Sequence, residues 1–126
     1  MATAQVYRSV KLVLQNSTNE NLTVQGFAVL SGTWAEKQGP TQGMLVGEQS
    51  AVEFTSVSTA LGTGTSAYVR FGTSHGYPLL RWSLPWAGPF EVVREDVTGL
   101  RFDIVIDDRH PDAVIILATM LESRRE

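Results

Sequence analysis

The sequence predicts an all-β chain, with residues 1–126 folded as one single-domain antiparallel β-sandwich of about seven to nine strands. Three observations carry that expectation. Several short stretches alternate apolar and polar side chains, the two-residue period of a strand with one buried face. Clusters rich in Gly, Pro, Asn, Asp and Ser separate them roughly every ten residues, as turns do in sandwiches. No segment sustains the 3.6-residue period of a helix through three turns. A chain of 126 residues has one-domain size and buries roughly two-thirds of its unfolded surface, enough for a core without covalent staples.

Taken in order, Tyr7–Asn16 alternates, with Val10, Leu12 and Leu14 on one face and Lys11 and Gln15 on the other. The polar run Asn16–Asn21 is a turn by composition. Leu22–Leu30 is a second strand, so the two read as an antiparallel hairpin closed by a loop of about six residues. Gly26 marks a bulge or a close backbone approach in mid-strand. Ser31–Trp34 leads into the glycine-rich Glu36–Gly47, a long loop with one short edge strand at Met44–Val46. Ser50–Val57 opposes Val52 and Phe54 to Glu53 and Thr55. The linker Leu61–Thr65 precedes a strand over Ala67–Phe71 and a turn over Thr73–Pro78. Leu80, Trp82 and Leu84 then share one strand face, and Leu79, Arg81 and Ser83 the other. Pro85 withdraws a backbone donor and Pro89 fixes another φ, so regular pairing ends at this corner. Phe90–Val93 and Arg101–Asp107 read as a further pair joined by Arg94–Leu100. After the Asp107–Asp112 turn, the apolar Val114–Leu121 reads as a central strand.

Composition excludes several classes of function. There is no cysteine, hence no disulfide and no thiolate metal site. The amino-terminal Met1–Arg8 lacks an apolar h-region, so no signal peptide is expected and the chain should be made as a soluble protein. The longest apolar run, nine residues over 113–121, is too short to cross a bilayer as a helix. Net charge is −3 but unevenly placed: residues 1–90 hold five basic and four acidic residues, residues 91–126 five and nine. Without a basic stripe to neutralise a phosphate backbone, no nucleic-acid partner is expected.

Catalytic machinery is also missing. His75 and His110 each sit in a turn with no second histidine at ligand spacing. Asp107, Asp108 and Asp112 lack the regular spacing of a calcium loop and have Arg109 among them. Thr63-Gly64-Thr65 is followed by neither a lysine nor a helix, so it is no phosphate loop. No Gly-x-Ser-x-Gly elbow is present. Carboxylates on different strands can still meet in a sandwich, so the expectation of a non-enzyme without cofactor, metal or catalytic residue rests on the absent nucleophile and base. What remains is aromatic: Trp34, Tyr68, Tyr77, Trp82 and Trp86, all near strand ends or loops of the first 90 residues. Such rings suit the interfacial zone of a membrane or the apolar face of a sugar, and composition does not choose. The Pro85–Pro89 corner either closes the end of the core with Trp86 or presents that ring at the surface.

The order of four landmarks resembles the aegerolysin family, including its small bacterial insecticidal relatives, across nearly the whole chain. They are Val10–Asn16, Ser31-Gly32-Thr33-Trp34, the Gly62-Thr63-Gly64-Thr65 linker, and Arg81–Gly88 with its Pro-Trp-small-Gly corner. The resemblance implies a β-sandwich without signal peptide that binds specific membrane lipids, sphingolipid- or sterol-containing membranes among them. In several members it also implies pore formation with a larger partner protein. The expected role is the lipid-recognition component of a two-protein pore-forming cytolysin or insecticidal toxin. That toxin would act at the target-cell membrane surface after release, with homo-oligomer formation in view. Trp34, Trp82 and Trp86 match family aromatics at the membrane-facing end, and with Tyr77 and Phe90 they form the expected lipid-binding set. Trp86 should be the most exposed tryptophan, and Trp82 at least partly buried. Two departures bear on the head group: Leu61 stands where sphingolipid-binding members carry an acidic residue, and Phe90 where they carry a tryptophan shortly after the corner. The cysteines of many fungal members are missing too. The alternative is a lectin-like module with Trp82 or Trp86 stacking on a sugar, although Leu84, Pro85, Ala87 and Gly88 supply no polar cluster beside the rings.

Overall fold

A computed structural model describes residues 5–123, so the first four residues of the stretch read above for a leader lie outside the described residues. Its strands are β1 (Arg8–Asn16), β2 (Leu22–Ser31), β3 (Thr33–Trp34), β4 (Leu45–Val46), β5 (Ala51–Ser58), β6 (Thr65–Gly72), β7 (Leu79–Leu84), β8 (Glu91–Glu95), β9 (Leu100–Asp107) and β10 (Ala113–Glu122). Ten strands among the described residues exceed the expected seven to nine because two of them, β3 and β4, are only two residues long. They form two five-stranded sheets, the first in the order β3-β5-β1-β10-β9 and the second β4-β2-β6-β7-β8. The sandwich is as expected, and its pairs are antiparallel except one. β1 and β10 run parallel, with Val10 beside Val114 and Leu14 beside Ala118.

Alternation along each strand builds the core between the sheets. Val10, Leu12, Leu14, Phe54, Phe102, Ile116 and Met120 of the first sheet meet Leu22, Val24, Val69, Phe71, Leu80 and Trp82 of the second. Phe71 and Phe102 face each other across it with ring centroids 6.4 Å apart. Gly26 does sit at a bulge, where the β2–β6 register shifts between Val24 and Gly26. The central place expected for the last strand holds, since β10 lies between β1 and β9.

Two expected pairs are corrected. β1 and β2 are not a hairpin, and neither are β8 and β9, because each connection crosses from one sheet to the other. Two strands that each offer one apolar face bury it as well by facing one another as by lying side by side, and sheets pack about 10 Å apart, within reach of a short loop. Asn16 shows how the first crossing is held. Its side chain is fully buried, and its amide nitrogen donates to the carbonyls of Glu20, Val46 and Gly47 at 2.8, 3.0 and 3.2 Å. Its oxygen accepts from the Thr18 amide at 3.0 Å and the Thr18 hydroxyl at 2.7 Å. A buried amide so fully satisfied fixes the loop rather than destabilising it. At the second crossing, Arg94 Nη1 donates to the Phe102 carbonyl at 2.6 Å, and the Phe102 amide donates to Asp96 Oδ1 at 3.1 Å. Side chains thus occupy part of the open edge of β9, as proteins commonly arrange at exposed strand edges.

The strands leave loops at two ends. The start of β1, residues 59–64, the corner 85–90 and the turn 108–112 share one end. Residues 17–21, 47–50, 73–78 and 96–99 share the other.

Candidate functional site

The corner after β7 is built by close backbone approach. Leu84 pairs with Thr65 at the start of β6, which brings the 62–65 linker directly under the corner. A Cβ on Gly64 would overlap the Leu84 carbonyl oxygen and the Pro85 backbone, so only glycine allows this contact. Ser31 Oγ donates to the Gly64 carbonyl at 2.9 Å, and Thr65 Oγ1 to the Ser31 carbonyl at 3.2 Å, tying the end of β2 into the same stack. A cleft of about 200 Å³ opens between linker and corner, lined by Ser31, Gly62, Gly64, Thr65, Pro85 and Trp86 among others.

Trp86 is half-buried at the rim of this cleft. The Arg8 guanidinium lies 4.2 Å from its ring centroid, and Tyr7 meets it edge-on at 6.1 Å. Arg8 Nη2 also donates to the Trp86 carbonyl at 3.1 Å, while Nη1 pairs with Asp112 Oδ1 at 3.2 Å. Ring and backbone of Trp86 are therefore braced by the start of β1 and the turn before β10. Ala87, Gly88 and Pro89 beyond it are exposed. On the neighbouring loop Leu61 is 73% exposed, an apolar side chain held in water.

The other expected residues divide. Trp82 is 1% exposed, its Nε1 donating to the buried Ser56 hydroxyl at 2.9 Å. It therefore has no surface to offer a ligand, and the expected partial burial is complete. Trp34 is half-buried, packed against the core, and meets Trp82 at 6.2 Å and Phe27 at 6.5 Å. Phe90 is likewise half-buried against the core. These three lie toward the same end as Trp86. Tyr77 does not: it lies 57% exposed at the opposite end, with the Arg70 guanidinium 5.8 Å from its ring. Its turn is anchored separately, since Glu20 accepts from the Ser74 amide at 2.8 Å and the Ser74 hydroxyl at 2.7 Å. The Ser74 amide bond, first of several causes, holds the Glu20 carboxyl below its ordinary range. Of the five expected residues, Trp34 and Trp82 meet each other, Trp86 and Phe90 sit on the corner at the same end, and Tyr77 lies at the opposite end.

Tyr7, Arg8 and Asp112 were missed because nothing in their own sequence neighbourhood marks them as partners of Trp86. Leu61 had a signal, an isolated leucine inside a polar linker. Around the corner, the outer face of the second sheet continues the cleft through Ser66 and Ser83 into a groove of about 280 Å³ with Arg81, Glu91, Leu30 and Val93. In the 107–112 turn, Arg109 binds Asp107 through two bonds of 2.9 and 2.7 Å and holds that carboxyl down at about 2. Among the described residues no group of three or more His, Asp or Glu is placed to hold a metal ion.

Neither a protein-family model nor a curated protein matches the sequence. Among solved structures the chain is similar to the crystal structure of the lipid-binding protein Nakanori, with a TM-score of 0.76 and 12% sequence identity. The likeness covers 95% of this chain and 73% of that one, and at such identity it shows that the two share a fold.

Proposed function

We propose that this chain is a non-enzymatic, membrane-lipid-binding protein of the aegerolysin type that acts at the surface of a target membrane. The observation that carries the reading is the corner end, where the 59–64 loop with its exposed Leu61 and the corner with its braced, half-buried Trp86 lie at the same end of the sandwich. A lipid-binding protein of the same fold supports it. Each large apolar side chain fully removed from water contributes roughly 1.5–3 kcal/mol. The brace matters as much, because a ring already fixed loses little further freedom on binding. In this reading the lining groups of the cleft, Ser31, Thr65 and the linker backbone, select a head group beside the inserted side chains. With net charge −3, attraction to anionic lipid is a minor term. In this reading the chain is the recognition component that recruits a larger pore-forming protein, as in a two-component cytolysin or insecticidal toxin.

A lectin-like role draws support from the hydroxyl- and charge-lined groove beside the corner, but the ring beneath it, Trp82, is buried and cannot stack on a sugar. Sedimentation with vesicles of sphingolipid, sterol and phospholipid mixtures, run beside a glycan array, separates the two. Retention by at least one lipid mixture and a silent array are expected. Glycan binding competed by free sugar, with no vesicle retaining the protein, would replace lipid by carbohydrate.

A further inference from the structure

Each sheet of the sandwich has two edges, and among the described residues three of the four are blunted. β3 and β4, the outer strands on one side, are only two residues long. On the other side the edge of β9 is held by Arg94 and Asp96, which bond the carbonyl and the amide of Phe102. β8 is the exception. It spans Glu91–Glu95, ends its sheet, and none of the turn and loop backbone bonds reaches it. Every second residue of such an edge turns its N–H and C=O outward, so β8 offers about two or three unpaired sets.

The core is also less covered on this side. Val92 and Arg94 point inward, since they pair with the buried Trp82 and Leu80. Arg94 crosses to Phe102 of the other sheet and closes the gap there. Beyond it, toward the corner end, Val92 on one sheet and Ile104 and Ile106 on the other pack against the core but stay half-buried. Phe102 on the same strand and Ile116 on the next are fully covered. On the outer face of β8, Glu91, Val93 and Glu95 follow one another, all exposed. Neither glutamate has an ion-pair partner among the described residues.

We propose that the open edge of β8 is a docking site for an extended segment of a partner protein, which adds to the sheet as a further strand. The edge fixes the chemistry of that segment. Opposite Val92 it carries an apolar side chain, which covers Val92, Ile104 and Ile106. Opposite Glu91, Val93 and Glu95 it carries a basic, an apolar and a basic residue, because directly opposed side chains lie about 5 Å apart and like charges there are destabilising. A second copy of this chain does not fit. Antiparallel pairing of β8 with itself along its whole length sets Glu91 against the partner's Glu95 and Glu95 against the partner's Glu91. The two carboxylates thus bar self-pairing and admit a basic strand. β8 runs along the side of the sandwich, so the segment can dock while the corner end meets a membrane, and docking itself needs no lipid.

Both glutamates are exposed, so changing them should leave the fold intact. Glu91→Lys turns the repulsive pair of a self-paired β8 into an attractive one, twice over by symmetry. In sedimentation velocity it should self-associate at least tenfold more tightly than the native chain, and Glu91→Lys combined with Glu95→Lys should return to the native level. Docking is measured by fluorescence anisotropy with a labelled peptide, Lys-Thr-Val-Val-Lys flanked by serines. A peptide of the same composition with its lysines adjacent should bind at least tenfold more weakly. The doubly substituted chain should lose the first peptide by at least tenfold and gain its glutamate-ended counterpart. Amide shifts on binding should fall on residues 91–95 and 104–106. Equal binding of the two lysine peptides would mean plain charge attraction and overturns the proposal, as do amide shifts confined to other strands. No binding of the first peptide overturns it too, and so does a Glu91→Lys protein that associates no more than the native chain.

Discussion

Trp82 and Trp86 lie in one short segment, yet Pro85 between them sends the first into the core and the second to the rim. Truncating Trp82 removes a fully packed ring and strands the Ser56 hydroxyl that it binds. Trp82→Ala should therefore cost about 3–5 kcal/mol in chemical denaturation. Trp86→Ala loses chiefly the Arg8 stacking contact, worth about 0.5–1 kcal/mol at an exposed site, while vesicle retention should fall sharply. Equal destabilisation by both changes would make Trp86 a structural residue. Glu20 gives a prediction of a different kind. Its carboxyl titrates below the ordinary 4.5, first because of the Ser74 amide, whose effect outweighs the opposing one of burial, and further because of the Ser74 hydroxyl and His75. A lowered folded value means that the unfolded chain takes up the proton first, so the stabilisation is complete above the ordinary value and fades as pH falls through the folded one. The melting temperature should thus exceed that of Glu20→Gln near neutral pH, and the gap should close on acidification. A gap that persists in strong acid would mean the Glu20–Ser74 bonds are not what separates the two proteins.

Strands were readable because alternation is local: β1, β5, β7 and β9 fall within a residue or two of their expected bounds. Pairing was not, because which sheet a strand joins is decided by the path of its connection. Asn16 and Thr18 looked like surface turn residues, and only burial between the sheets reveals that their side chains hold a crossing rather than a hairpin. The parallel contact of β1 with β10 joins the two ends of the chain and has no local signature at all. The same limit applied to the corner element. Pro85 announced where Trp86 would leave the strand, but the brace comes from Arg8, 78 positions away in sequence. The linker under the corner is the element most open to test. A methyl group at Gly64 must push against the backbone of Leu84 and Pro85, so Gly64→Ala should cost about 1–3 kcal/mol, the range for overpacking. It should also shift the corner and weaken vesicle retention beyond what its melting curve explains. Retention unchanged in a destabilised Gly64→Ala protein would show that the cleft geometry does not matter for binding.

At the scale of the molecule, the aromatic set that looked like one surface patch in sequence divides by the direction of the strands. β6 and β7 meet at Thr65 and Leu84 toward one end and at Arg70 and Leu79 toward the other, which carries Tyr77 away from Trp86. In the proposed lipid-binding role one end is left to face a membrane, and the architecture sets what can follow binding. A protein that makes a pore on its own must place a segment across the bilayer with every backbone group paired, as an apolar helix or as closed amphipathic strands of about ten residues. No helix among the described residues is long and apolar enough to cross a membrane, which leaves the strands. The three of sufficient length among the described residues, β1 with nine residues and β2 and β10 with ten each, all lie between two neighbours in their sheets. Withdrawing β10 would uncover Val114, Ile116, Ala118 and Met120 together with the core they close. That loss is not offset by a strand whose outward side chains, Ile115 and Leu117, are as apolar as its inward ones, since a barrel wall needs one polar face toward its lumen. The purified chain should therefore bind vesicles without emptying them, and release should require a second, larger protein added to the lipid-bound one. Dye-loaded vesicles that retain the protein measure this directly. Little release is expected at concentrations that saturate binding, and rapid, complete release by this chain alone would mean that one of these strands leaves the sandwich at the membrane.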